Sequence, residues 1–262
     1  MRRCLTDRSL MKRFDVPAPP LHRGLTPTRA DLRRVVALFG LLAGISGWTP
    51  VALGATTEFS AAERALFVES HLDAVRPPLT LRYVFRKSGT LEAPFEDSVD
   101  VRLTPQADGT CCASTARFLS GARESRQPQV EAARSNPAIL YFLEREIREM
   151  ERLTKGKANY FRKRIRMAVF DGATIRNTTL PYRGTPVAVR EVSIAPYRDD
   201  PNRARFEQLS GKQYAFLLSD AVPGGLYGIR TRVDAAAADA PALLIEEMLI
   251  DGAGPAAPAR SP

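Results

Sequence analysis

Two segments of this chain, "LTLRYVFRK" and "FEDSVDVRL", constrain its fold more than any others. In the first, Leu79, Leu81, Tyr83 and Phe85 alternate with Thr80, Arg82 and Arg86; in the second, Phe95, Val99, Val101 and Leu103 alternate with Glu96, Ser98, Asp100 and Arg102. Successive side chains of a strand point to opposite faces, so each segment reads as an antiparallel strand with one face on a core and one in water. After the turn "TPQADGT" a third strand is predicted from about Cys111 to Leu119, with Cys112, Ser114, Ala116 and Phe118 on one face. Further strands are predicted over Ala158 to Phe170, Ala173 to Leu180 and Val187 to Ala195, and in "QYAFLLS", "LYGIRTRV" and "ALLIEEMLI", about nine in all. Asp171-Gly172 between two strand-like runs is a hairpin signal.

Helical signals interrupt this pattern twice. Ser60 and Glu63 form a capping box that opens a helix from about Ala61 to Val75, ended by Pro77-Pro78. Asn136 as N-cap and Pro137 at the first helical position open the clearer one, "AILYFLEREIREMERLTK", with Gly156 where a left-handed residue is wanted. Ile139, Leu143, Ile147 and Met150 give its buried stripe, and the pairs Glu144–Arg148 and Arg145–Glu149 are assigned to its wet side. "DDPNRARFEQLSGK" reads as a short helix.

This order of elements predicts an α+β fold: one strongly curved antiparallel sheet of about nine strands with two main helices packed on its concave side. A β-sandwich with appended helices is the alternative. The layout over roughly residues 60 to 250 resembles the half-barrel of exported lipoprotein carriers of the LolA/LolB type, although no motif is shared and the lipidation cysteine of the LolB type is absent. The resemblance implies a lipophilic ligand under the sheet.

The first 54 residues read as an N-terminal extension and signal peptide. Arg29, Arg33 and Arg34 precede an uncharged apolar run from Val35 to about Gly47, and Ala52 and Gly54 stand at the −3 and −1 spacing of a cleavage site. Since the run continues uncharged to Thr57, an uncleaved membrane anchor is the competing reading. Residues 55–251 are expected to form a single exported domain, and the tail from Gly252, rich in Pro, Ala and Gly, to be disordered. The leader holds nine of the 38 basic and three of the 29 acidic residues, so its removal lowers the net charge from +9 to about +3. Basicity therefore gives no argument for nucleic acid.

The chemistry available is narrow. In "DGTCCASTARF" the Cα atoms of Cys111 and Cys112 would lie about 3.8 Å apart across a trans peptide, below the usual disulfide range, and within a strand their side chains diverge. The pattern favours two unbridged cysteines, Cys112 inward and Cys111 near the surface; a vicinal or an intermolecular disulfide is the alternative in an oxidising compartment. His71 is the one histidine after the leader. With it there is no zinc spacing, hydrolase elbow, phosphate loop or dinucleotide fingerprint, so no metal, cofactor or catalytic residue is expected. Asp199, Asp200 and Asn202 could hold a cation, but Asp200 before Pro201 reads more simply as an N-cap, and Glu246 and Glu247 point to opposite faces of their strand.

"KGKANYFRKRIRM" is the sharpest local feature. On the predicted strand Arg162, Arg164 and Arg166 share a face with Tyr160, a basic stripe suited to a phosphate or carboxylate; the structural alternative is a solvated face paired with acids. Together these readings predict a non-catalytic periplasmic or secreted protein of a bacterial envelope, binding a lipid or other amphipathic anionic molecule under the sheet. Such a carrier needs a solvent-open, apolar cavity, and a filled core counts against it. The alternative is a structural or assembly partner of an envelope protein, with a closed core and an apolar patch or exposed sheet edge; a hydrolase ranks below both. Membrane contact is expected only through the leader, if it is retained.

Overall fold

The computed structural model describes residues 59–237 and 239–254; the leader's signal peptide or anchor, and most of the tail, lie outside the described residues. Nine strands form: β1 Leu79–Ser88, β2 Phe95–Pro105, β3 Cys111–Phe118, β4 Ser125–Arg126, β5 Thr174–Tyr182, β6 Thr185–Ile194, β7 Gln213–Leu218, β8 Leu226–Val233 and β9 Leu244–Ile250. They make one antiparallel sheet in the order β4-β3-β2-β1-β9-β8-β7-β6-β5. The sheet is open, with β4 and β5 at its edges, and its first long strand pairs with its last, Phe85 opposite Met248 and Lys87 opposite Glu246. The period-two pattern sets the faces as expected: Leu81, Tyr83 and Phe85 are buried while Arg82 is exposed, and Val99, Val101 and Leu103 continue the same layer on β2.

Three helices pack on the sheet: α1, Ala61–Glu63 continued by a π-helical turn Arg64–Val68; α2, Pro137–Thr154; and α3, Ala158–Asp171. Both predicted N-termini form. Ser60 and Glu63 make the reciprocal capping box, and the Asn136 side chain accepts from the Ala138 N–H at 3.0 Å. α1 and its π turn stop at Val68 rather than Val75, because Glu69 turns into extended backbone and its carboxylate receives Arg190 of β6. At the end of α2 the left-handed residue is Lys155, φ 57°, and not Gly156. Gly156 serves a different purpose, since a Cβ there would come within 2.6 Å of the Phe161 ring at the close turn into α3.

α3 is the main departure from the sequence reading, which placed a strand over Ala158 to Phe170. Phe161, Ile165 and Val169 recur every four residues and are buried together, a helical stripe that the alternating arginines mask. Asp171-Gly172 accordingly ends a helix instead of joining two strands. The hairpin signal belongs to Arg183-Gly184, both with positive φ (48° and 80°), between β5 and β6. The tail also begins later than expected: the Arg183 N–H donates to the Gly252 carbonyl at 2.8 Å and Ala253 bridges to Tyr182.

The layer between sheet and helices is packed. Ile139, Phe142, Leu143, Ile147 and Met150 of α2 lie among Phe85, Phe118, Phe216 and Met248 of the sheet and Phe161 and Ile165 of α3 in one buried cluster. Each such side chain contributes on the order of 1.5–3 kcal/mol on leaving water. Where α3 meets the loop after β6, the rings of Tyr160, Phe161, Tyr197 and Phe206 pack edge-on or tilted with centroids 5.5 to 6.0 Å apart.

Candidate functional site

The middle of this packed layer holds charge. α2 is flanked by the sheet on one side and α3 on the other, so its "EREIREMER" run has little wet side to occupy. Glu144, Arg145 and Glu146 are all buried, which corrects their assignment to a solvated face. Glu144 takes the Arg162 guanidinium of α3, with Nη2 at 3.0 Å, instead of pairing with Arg148. Arg145 donates to Glu246 Oε1 at 2.9 Å and Glu146 Oε1 at 2.5 Å, and its guanidinium carbon lies 4.8 Å from the Phe85 ring centroid.

The sheet supplies the remaining partners. Lys212, just before β7, contacts Glu146 and lies 3.4 Å from Glu246 Oε2, while the Thr231 hydroxyl donates to that oxygen at 3.0 Å. Lys87 lies 3.7 Å from Glu246, 3.5 Å from Glu149, and against Glu92 of the β1–β2 turn. Lys212, Glu146 and Glu246 are each 0% exposed. Three cations, Lys87, Arg145 and Lys212, thus face Glu146, Glu149 and Glu246, with the Arg152–Glu92 pair outermost.

The two buried carboxyls are driven apart. Burial and the neighbouring Glu246 carboxylate push Glu146 above the usual glutamate range, outweighing Lys212 and Arg145. Burial also opposes ionisation of Glu246, but Lys212, Arg145 and Lys87 outweigh it and hold that carboxyl well below the usual range. A raised and a lowered carboxyl side by side is how an acid–base pair is prepared. This one is sealed from solvent, so its chemistry is internal: it fixes α2 on the sheet.

The network meets solvent at one end. Next to Lys87 a cavity of about 340 Å³ opens between the β1–β2 turn, the last turn of α2 and the 205–209 segment. Its walls include Leu91, Leu153, Phe206, Leu209 and Leu244, and its polar groups Lys87, Glu92, Arg205 and Glu207. Burial opposes ionisation of Glu92, yet bonds from Lys87 and Arg152 outweigh it and lower its pKa. None of the network or pocket residues stood out in the sequence as a ligand site. A Lys-Glu pair opposed across β1 and β9 becomes visible only once those two strands are known to be neighbours.

The residues singled out from sequence sit elsewhere. On a helix, Tyr160, Arg162, Arg164 and Arg166 do not form the stripe expected of a strand face. Arg162 is held by Glu144, Arg164 Nε lies 2.8 Å from Asp200 Oδ2, and the Tyr160 hydroxyl donates to Asp200 Oδ1 at 2.5 Å. Asp200 also accepts from the Asn202 N–H at 2.7 Å, capping a turn rather than holding a cation; among the described residues no group of three or more His, Cys, Asp or Glu could ligate a metal. Cys112 is buried and Cys111 half-buried, as expected, but the two are joined as a vicinal disulfide across a cis peptide, with Cα atoms 3.1 Å apart, at the first two residues of β3. The unbridged reading assumed a trans peptide between them; burial still alternates along β3 from Cys111 to Ser114. His71 is a structural clip: Nε2–H donates to the Ala65 carbonyl at 2.9 Å, and Nδ1 accepts the Asn136 N–H at 3.1 Å.

No protein-family model matches the chain, and no curated protein matches it. Among solved structures it is similar to the Mycobacterium tuberculosis lipoprotein LppX, at 9% identity over 70% of this chain and 91% of that chain, with a TM-score of 0.27. A likeness that distant carries no argument about function.

Proposed function

We propose that the protein is an exported, non-catalytic binding protein of a bacterial envelope, which takes an amphipathic anionic ligand at the C-terminal end of α2. The observation that carries this reading is the pocket of about 340 Å³, walled by leucines and Phe206 and placed over the nearly buried Lys87. Its size is at the lower end of small-molecule sites, and apolar walls with a few convergent polar groups are their usual composition. The packed layer beneath the rest of the sheet counts against a ligand lying along α2. In this reading the ligand's apolar end meets Leu91, Leu153 and Leu209, and its acidic group competes with Glu92 for Lys87, with Arg205 on the rim. Arg162 and Arg164, already engaged by Glu144 and Asp200, are not its partners.

Titration with a fluorescent fatty acid tests this. Leu153 is exposed at the rim, so Leu153→Glu should leave the fold intact and lower affinity at least about tenfold, by placing a charge on the apolar wall. Absence of saturable uptake, or uptake indifferent to Leu153→Glu, removes the pocket from consideration.

One observation favours a second reading, an assembly partner of an envelope complex. β5 has a strand neighbour on one side only and most of its residues are exposed, the kind of edge a partner strand extends. Native mass spectrometry of protein taken from its own envelope separates the two: a lipid-sized adduct favours the carrier, a stoichiometric protein partner the assembly role.

A further inference from the structure

We infer that the outward face of α3, together with Phe59, rests on an anionic membrane surface. Phe161, Ile165 and Val169 turn α3 inward, which leaves Asn159, Lys163, Met167 and Phe170 on the opposite side of the helix, and all four are exposed. Met167 is 43% and Phe170 53% exposed, large apolar side chains one turn apart that neither the core nor its half-buried margin takes up. At the same end of the helix the Ser60 hydroxyl donates to the Val169 carbonyl at 3.3 Å, which brings Phe59, 56% exposed, to the last turn of α3. Exposed apolar residues gathered in this way on a soluble face mark an interaction surface.

Charge and the preceding sequence select the bilayer as occupant. α3 carries Arg162, Lys163, Arg164 and Arg166 against the single acid Asp171. Arg162 and Arg164 are neutralised inward by Glu144 and Asp200, whereas Lys163 is in no ion pair among the described residues. An interfacial helix combines these features: apolar side chains that enter the headgroup boundary, and cations that meet anionic lipid. In sequence, Phe59 follows, through Glu58, the uncharged run Val35–Thr57 that reads as a signal peptide or anchor. The surface is separate from the pocket at the end of α2, so it stands or falls independently of the ligand proposed there.

A tryptophan at position 170 reads this contact in the full chain. Trp48 is the only tryptophan, so Trp48→Phe combined with Phe170→Trp leaves one reporter on the proposed face. Mixed with vesicles of phosphatidylglycerol and phosphatidylcholine, the reporter should shift to the blue and be quenched by brominated lipid, more weakly so with phosphatidylcholine alone. Lys163→Gln should weaken binding to the anionic vesicles about fivefold, and Met167→Ser about tenfold, with the thermal melt unchanged. A chain that sediments with vesicles while residue 170 keeps its aqueous emission binds through its N-terminal segment or another face, and overturns the inference. So does indifference to both substitutions, or a failure to bind either kind of vesicle.

Discussion

The two ends of α2 are anchored by opposite means. At its start, Asn136 accepts from the Ala138 N–H, donates to the Tyr83 hydroxyl at 3.0 Å and to the Gly224 carbonyl at 2.7 Å, and gives its own N–H to His71. One turn on, the Tyr141 and Ser114 hydroxyls lie 2.9 Å apart. Every group there is neutral and nearly every bond is satisfied. From Glu144 onward the same helix is held by the buried ions Arg145, Glu146, Lys212 and Glu246. The contrast teaches where each device works. Neutral bonds fix the entry of the helix with little desolvation cost, while buried ions cost several kcal/mol each to dehydrate and repay it only if all partners are present. The ionic half therefore specifies the seating of α2 more than it stabilises it, and it lies beside the proposed ligand pocket.

Removing one ion is the most severe way to break this comparison. Lys212→Met leaves Glu146 and Glu246 sharing Arg145 and Lys87 out of water, and should cost about 3–5 kcal/mol in urea denaturation. Lys212→Met with Glu146→Met should recover most of that loss, because a methionine pair restores volume without an uncompensated charge. If the single substitution costs under about 1 kcal/mol, the cluster is hydrated in solution and the reading of α2 as charge-registered fails.

The same contrast explains what could be read from sequence. The strands that bury one face, β1 and β2, were legible because apolar and polar residues alternate there over most of their length, with Val84, Lys87 and Asp97 as the exceptions. The caps at Ser60 and Asn136 were legible because a cap is a local bond. The buried ions were not, since Arg145 and Glu146 carry the signature of a wet helix face, and what makes them interior is a second helix packed on the far side of α2. That second helix was itself hidden: Arg162, Arg164 and Arg166 alternate as in a strand, while Phe161, Ile165 and Val169 carry the competing four-residue period that prevails once there is a core to receive it. The pocket needs three segments distant in sequence, Leu91, Leu153 and Phe206 among them, and no local pattern encodes their meeting.

A milder probe addresses the neutral end through pH. Burial holds His71 below its ordinary pKa, against the Ala65 carbonyl and Glu69 and with help from Arg190, while Asp220 acts the other way. The geometry agrees, since Nδ1 must stay unprotonated to accept the Asn136 N–H. The unfolded chain therefore takes up a proton near pH 6.5 that the folded protein refuses, so stability falls as pH drops below about 6.5 and levels off once the folded-state pKa is passed. The slope from this one group is at most about 1.4 kcal/mol per pH unit. His71→Gln should flatten the stability profile between about pH 7 and 5, measured by urea midpoints across that range. An unchanged profile would assign the slope to the ionic half instead.

The smallest effect is the most discriminating, because it compares two glutamates adjacent in sequence. Glu246 faces the network; Glu247, on the other face of β9, meets Arg230 of β8 at 2.8 Å with both side chains partly in water. Composition, propensity and strand position are shared, so any difference between the two substitutions reports environment alone. Glu247→Gln should cost no more than about 1 kcal/mol and less still in 1 M salt, where the Debye length falls to about 3 Å. Glu246→Gln removes the carboxylate that Lys212, Arg145 and Lys87 all approach, and should approach the cost of Lys212→Met with little salt dependence. Equal costs for the two would mean that the sheet does not separate a dry face from a wet one at β9, and the distinction between the charged interior and the charged surface would collapse with it.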